Sequence, residues 1–118
     1  ILEQALEKTL SQVRAGEPAS VISKKMNQVI GDAGYSKYCY PPYMRARGHG
    51  FGAGSIAPGG VIDDDNETPL ENDQIVVIHP NQYIPEVGYL ACGETYLITT
   101  EGTEELSKTE TKLYSKEV

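Results

Sequence analysis

Two histidines and a glutamate are the residues of this chain best suited to chemistry. His49 sits in Gly48-His49-Gly50-Phe51-Gly52, and His79 follows an apolar run as Ile78-His79-Pro80. Glycines on either side of a histidine remove the Cβ atoms that would hold a ligand away. A histidine at the end of a buried strand is rigidly aimed. Glu94, which opens the next strand-like run, would be aimed by the same sheet. A His, His, Glu set suits a borderline divalent ion such as zinc, cobalt or manganese. The same residues also fit plainer roles: His49 in a loop, His79 capping a strand, Glu94 pairing across one. Spacing alone does not choose between these readings.

Other clusters carry less. The run Asp63-Asp64-Asp65-Asn66 has the acidity of a calcium loop but lacks its turn glycine and its late bidentate glutamate, so a solvated surface loop is the better reading. Tyr35, Tyr38, Tyr40 and Tyr43 suit a cleft wall, a subunit contact or ordinary packing near the surface. Cys92 has no histidine near it in sequence and reads as an inert buried thiol.

These residues need elements to position them. Leu2, Leu6, Leu10 and Val13 make one apolar stripe of a helix over residues 1–14, closed by Gly16 and Pro18. A second helix is predicted over residues 20–30, with Ser20 as N-cap, Ile22, Met26, Val29 and Ile30 inward, and Gly31 left-handed at its end. Residues 34–60 read as loop with one short strand, and 61–73 as an acidic surface loop. Gln74 to Ile78 is a β-branched run of the kind covered on both faces. Residues 89–91 suggest a short strand. Glu94 to Thr99 is a stronger one, stopped at Glu101-Gly102. Helices followed by antiparallel strands define an α+β class. Residues 1–106 make the folded part and 107–118 a polar tail that could serve as a loosely held terminal strand.

Composition sets limits. The chain has 118 residues, a net charge of -7 and scattered lysines and arginines, which excludes a nucleic-acid footprint. No apolar run approaches the roughly 20 residues that cross a bilayer. The two cysteines build no disulfide framework; a single bridge stays open, and free thiols in the cytoplasm are the simpler reading.

The succession "AGEPASVISKKMNQVI", "GHGFG", "QIVVIHP", "GETYLITTEG" resembles the C-terminal half of the pita-bread hydrolases, which include methionine aminopeptidase, aminopeptidase P, prolidase and the metal-free creatinase. The resemblance implies two helices packed on a curved antiparallel sheet, with the active site on the concave face. It maps a metal ligand onto His49, the carboxylate of an I-E-P motif onto His79, and that of an R-x-E-D motif onto Glu94. Two aspartates that complete the family's dinuclear site would precede Ile1. A second family histidine would fall near Ile56, and the arginine before the last carboxylate at Cys92. Exchanging a bridging carboxylate for neutral imidazole removes a charge that offsets the repulsion of two dications.

The resemblance thus implies part of an Xaa-Pro dipeptidase or aminopeptidase-like hydrolase acting on peptide or related C–N bonds. His49 and Glu94 would be catalytic, and His49, His79 and Glu94 would be metal ligands. A manganese, zinc or cobalt ion would belong to the full-length protein and bind this part alone only weakly. The expected partners are a small peptide or amide-type substrate and a second copy of the chain. A creatinase-like metal-free hydrolase and a non-catalytic binding module are the alternatives.

Overall fold

The computed structural model describes residues 1–51, 60–108 and 115–116. Two helices, α1 (Leu2–Leu10) and α2 (Ser20–Ile30), lead into a π turn at Gly31–Tyr35 and a short helix at Ser36–Tyr38. Seven strands follow among the described residues: β1 (Gly48–Gly50), β2 (Val61–Ile62), β3 (Ile75–Ile78), β4 (Asn81–Ile84), β5 (Gly88–Ala91), β6 (Glu94–Ile98) and β7 (Thr103–Glu105). The α+β class is as the sequence implies.

Strands β2-β1-β3-β6-β7 form one antiparallel sheet in that spatial order, and β4-β5 is a separate hairpin. The helices pack on one another and on one face of the sheet. Leu6, Val13, Ile22, Met26 and Ile30 meet Ile62, Val76, Ile78, Tyr96 and Ile98 in a single core. Strand β3 is therefore not covered on both faces. Val76 and Ile78 are fully buried, whereas Ile75 and Val77 are half-buried, the alternation of a sheet with one open face.

Several local expectations give way to tertiary bonds. Ser20 does not cap α2. The backbone N–H groups of Ala19 and Ser20 donate to the carbonyls of Thr68 (2.8 Å) and Asn66 (2.7 Å), while the Ser20 hydroxyl bonds Glu67 Oε1 at 3.0 Å. The first turn is thus satisfied by a neighbouring segment, and a side-chain cap has nothing left to do. Gly31 stays right-handed (φ -64°), and the left-handed residue is Gly34 (φ 101°). The segment 61–73 is structural as well as acidic. It supplies β2, bonds back to Glu17 through the Leu70 N–H (2.8 Å) and buries Leu70. Both cysteines are free thiols. Ile56 and most of the tail beyond Ser107 lie outside the described residues. No described helix is long and apolar enough to cross a membrane.

Candidate active site

Strand register sorts the candidate residues onto two faces. Gly48 pairs with Ile62 and Ile78, and Ile78 pairs with Glu94, so these four form one row. His49 pairs with Val61 and Val77, and Val77 with Thr95, forming the next row. Neighbours across strands point to the same side, and successive residues alternate. The first row includes buried Ile62 and Ile78 and faces the helices; the second lies on the open face.

Gly48 permits this arrangement. A Cβ there would meet the Val77 carbonyl oxygen at 2.3 Å and Ile62 Cδ1 at 2.9 Å.

The two histidines come together on the open side, ring centroids 5.4 Å apart and planes tilted 52°. His49 is exposed. Its Nδ1 lies 2.8 Å from the Gly50 carbonyl oxygen, which only accepts, so Nδ1 carries the proton of the neutral ring. Nε2 then presents a lone pair to incoming groups. His79 is half-buried, and its backbone N–H donates to the Arg47 carbonyl at 2.8 Å. Burial is the main cause that lowers its pKa, and the neighbouring His49 and Arg47 charges act in the same direction.

Glu94 does not join them. Its row faces the helices, and its charge acts on Tyr96 and Cys92, whose hydroxyl and thiol pKa values are raised first by burial. Glu94 is not among the groups that shift His79. Of His49, His79 and Glu94, the structure brings the two histidines together and sets Glu94 in the adjoining row that faces the helices. On the open side, the β6 strand meets His79 through Gly93. A Cβ at Gly93 would lie 2.4 Å from the Ile78 carbonyl oxygen and 2.7 Å from both Cα and Cβ of His79.

A carboxylate-bridged pair of metal ions does not fit this donor set. Among the described residues no three His, Cys, Asp or Glu side chains lie close enough to hold an ion.

Next to the histidine strand stands a residue that sequence reasoning missed. Arg47, directly before Gly48, is fully buried. Its Nε and Nη2 donate to Asn27 Oδ1 at 3.0 and 2.7 Å, Nη2 also to Gln82 Oε1 at 3.1 Å, and Nη1 to the Asn81 carbonyl. It ties α2 to β4 and to the start of β1. Nothing in its residue type marks it as interior, since arginine is seldom fully buried unless paired.

The His79 environment carries a pH dependence. As pH falls below about 6.5, unfolded chains protonate His79 before folded ones do. The unfolded state then binds more protons, so stability present above that pH is lost as pH falls through the folded pKa. The slope is at most about 1.4 kcal/mol per pH unit. We expect His79→Gln to flatten this part of the profile, measured as urea midpoints of the full-length protein between about pH 8 and pH 5. An unchanged profile would contradict the buried, neutral histidine.

The fold has known counterparts. The model of metallopeptidase family M24 matches residues 1–100, and the chain belongs to that family. It is 28% identical over 113 residues to an Xaa-Pro dipeptidase of Pyrococcus horikoshii, covering 96% of this chain and 31% of the relative. A Pyrococcus furiosus Xaa-Pro dipeptidase is 29% identical over the same length. The prolidase structure from Pyrococcus horikoshii superposes with a TM-score of 0.80 at 27% identity, covering 96% of this chain and 31% of that one. An X-Pro aminopeptidase structure from Thermotoga maritima also gives 0.80, at 21% identity, over 94% of this chain and 30% of that one. The fold is that of the pita-bread hydrolases, and the chain spans about 31% of the length of these dipeptidase relatives.

Proposed function

We propose that this chain is the histidine-bearing part of an Xaa-Pro dipeptidase-like hydrolase that acts on peptide or related C–N bonds. The observation that carries the reading is the exposed His49 ring on the open face, whose Nδ1 lies 2.8 Å from the Gly50 carbonyl oxygen and so leaves Nε2 as the nitrogen for an incoming group. Such a group takes a proton from an attacking water or returns one to a leaving nitrogen. His79, neutral and 5.4 Å away, lets the imidazole of His49 cycle without a second positive charge beside it. A small peptide or amide substrate and homo-oligomeric assembly belong to the same reading.

Register bears on the metal. If family ligands project from the open face, the R-x-E-D carboxylate position falls on Gly93 rather than Glu94. With imidazole at 79 and glycine at 93, this part of the site favours the metal-independent, creatinase-like form of the chemistry over a dinuclear one. The same two positions favour a non-catalytic binding module as the second reading.

Release of proline from Xaa-Pro dipeptides by the full-length protein, with and without a strong chelator, tests these. The expected result is turnover that survives the chelator and a metal content well below one ion per chain. Chelator-sensitive turnover would overturn the metal-independent form, and absence of turnover on every dipeptide and small amide would leave the binding module.

A further inference from the structure

We propose that the cleft between α2 and the acidic residues 63–65 binds a primary ammonium group carried on an aliphatic stem. The cleft, about 270 Å³ in volume, lies away from the histidine pair in its lining. Ser23 and Asn27 of α2 form one side and Asp63, Asp64 and Asp65 the other, with Arg45 at the rim. Pro41 and Met44 give it apolar walls along which methylenes pack.

Two independent features point to a cationic donor. The first is charge. Asp63 Oδ1 accepts the Asp65 N–H at 3.0 Å, and Asp64 Oδ1 accepts from Asn27 Nδ2 at 3.1 Å. The remaining carboxylate oxygens accept no hydrogen bond from the described residues, and Arg45 forms no ion pair with them. The second is Ser23, which lines the cleft and is only 1% exposed. A serine within a helix commonly returns its hydroxyl to the carbonyl four residues back. That of Ser23 has no partner among the described residues. An ammonium brings three donors and no acceptor, matching a hydroxyl oxygen and surplus carboxylates. A divalent cation fits less well, because no three ligand side chains converge.

Calorimetric titration of the full-length protein at low salt tests this, with cadaverine and N-acetyl-lysine amide as probes and pentanol as the neutral control. We expect saturable binding of an amine and none of pentanol. Asp65→Asn, which sacrifices no side-chain bond to the described residues, should weaken binding roughly tenfold. Arg45→Ala should tighten it severalfold by removing a like charge. Ser23→Ala should weaken it while leaving the melting temperature unchanged or higher, since it deletes an unsatisfied buried hydroxyl. Tighter binding of N-acetyl-lysine amide assigns the site to a lysine side chain of a peptide, and tighter binding of cadaverine to a free amine. No saturable binding of either amine, equal binding of pentanol, or an unaltered affinity in Asp65→Asn would overturn the proposal.

Discussion

Arg47→Ala is expected to destabilise the protein by about 3–5 kcal/mol, the largest effect of any single change at a polar residue here. The guanidinium is fully buried and bonds Asn27, Asn81 and Gln82, all of them neutral acceptors. Truncation leaves the buried Gln82 side-chain oxygen and Asn81 carbonyl, and the half-buried Asn27 side-chain oxygen, without their donor. Each costs about 1–3 kcal/mol when orphaned, less whatever local rearrangement recovers. Burial lowers the arginine pKa, with Cys39 and Asp64 acting in the opposite direction, and guanidinium stays charged in proteins, so the wild-type interior holds a cation bonded mainly to amides and a carbonyl. Arg47→Lys keeps the charge but loses the fork, and should fall between the two. Thermal melts of the full-length protein should show a drop of roughly 10 °C for alanine and less for lysine. An alanine variant within about 0.5 kcal/mol of wild type would mean that the acceptors find other donors, and that Arg47 does not hold α2 to the strands.

His49→Ala should lower kcat for Xaa-Pro turnover by about 10²–10⁴-fold, the usual worth of a positioned proton-transfer group. Its effect on KM should be small, because a proton-transfer role is felt in the transition state more than in substrate binding. His49 is exposed and its Nδ1 bond is to its own neighbour, Gly50, so the melting temperature should barely move. That separates it from Arg47, where stability and activity fall together. A loss confined to KM would recast His49 as a binding residue, and turnover within twofold of wild type would remove it from the reaction.

Much of the core was legible in the chain itself. The stripe of Leu2, Leu6, Leu10 and Val13, and that of Ile22, Met26 and Ile30, name the helix faces that are buried. What failed was local grammar overruled by distant bonds. Ser20 has the type of a cap, but carbonyls from residues 66 and 68 reach the helix start first. The strand β4 escaped notice because Asn81 and Gln82 are polar and nonetheless buried, serving Arg47 rather than water. For the site, both histidines were visible by type and meet in space. The side to which Glu94 points was not legible, because Thr95 to Ile98 mixes apolar residues on both faces and offers no clear period of two. Only pairing with Ile78 reveals which way it points.

The contact between Gly93 and His79 also constrains how this protein can change. Because a Cβ at 93 would strike the Ile78 carbonyl oxygen and the Cα and Cβ of His79, no side chain can be added at 93 without moving β3 or the start of β6, whichever residue stands at 79. Glutamate at 93 alone should therefore cost stability before it can add a ligand, and Gly93→Ala should already show that cost as a lowered melting temperature. Strand spacing would have to shift before side-chain chemistry did. Laboratory evolution toward metal-dependent turnover should accordingly select first for substitutions in the backbone neighbourhood of residues 78–80 and 92–93, with ligand changes appearing later in the lineage.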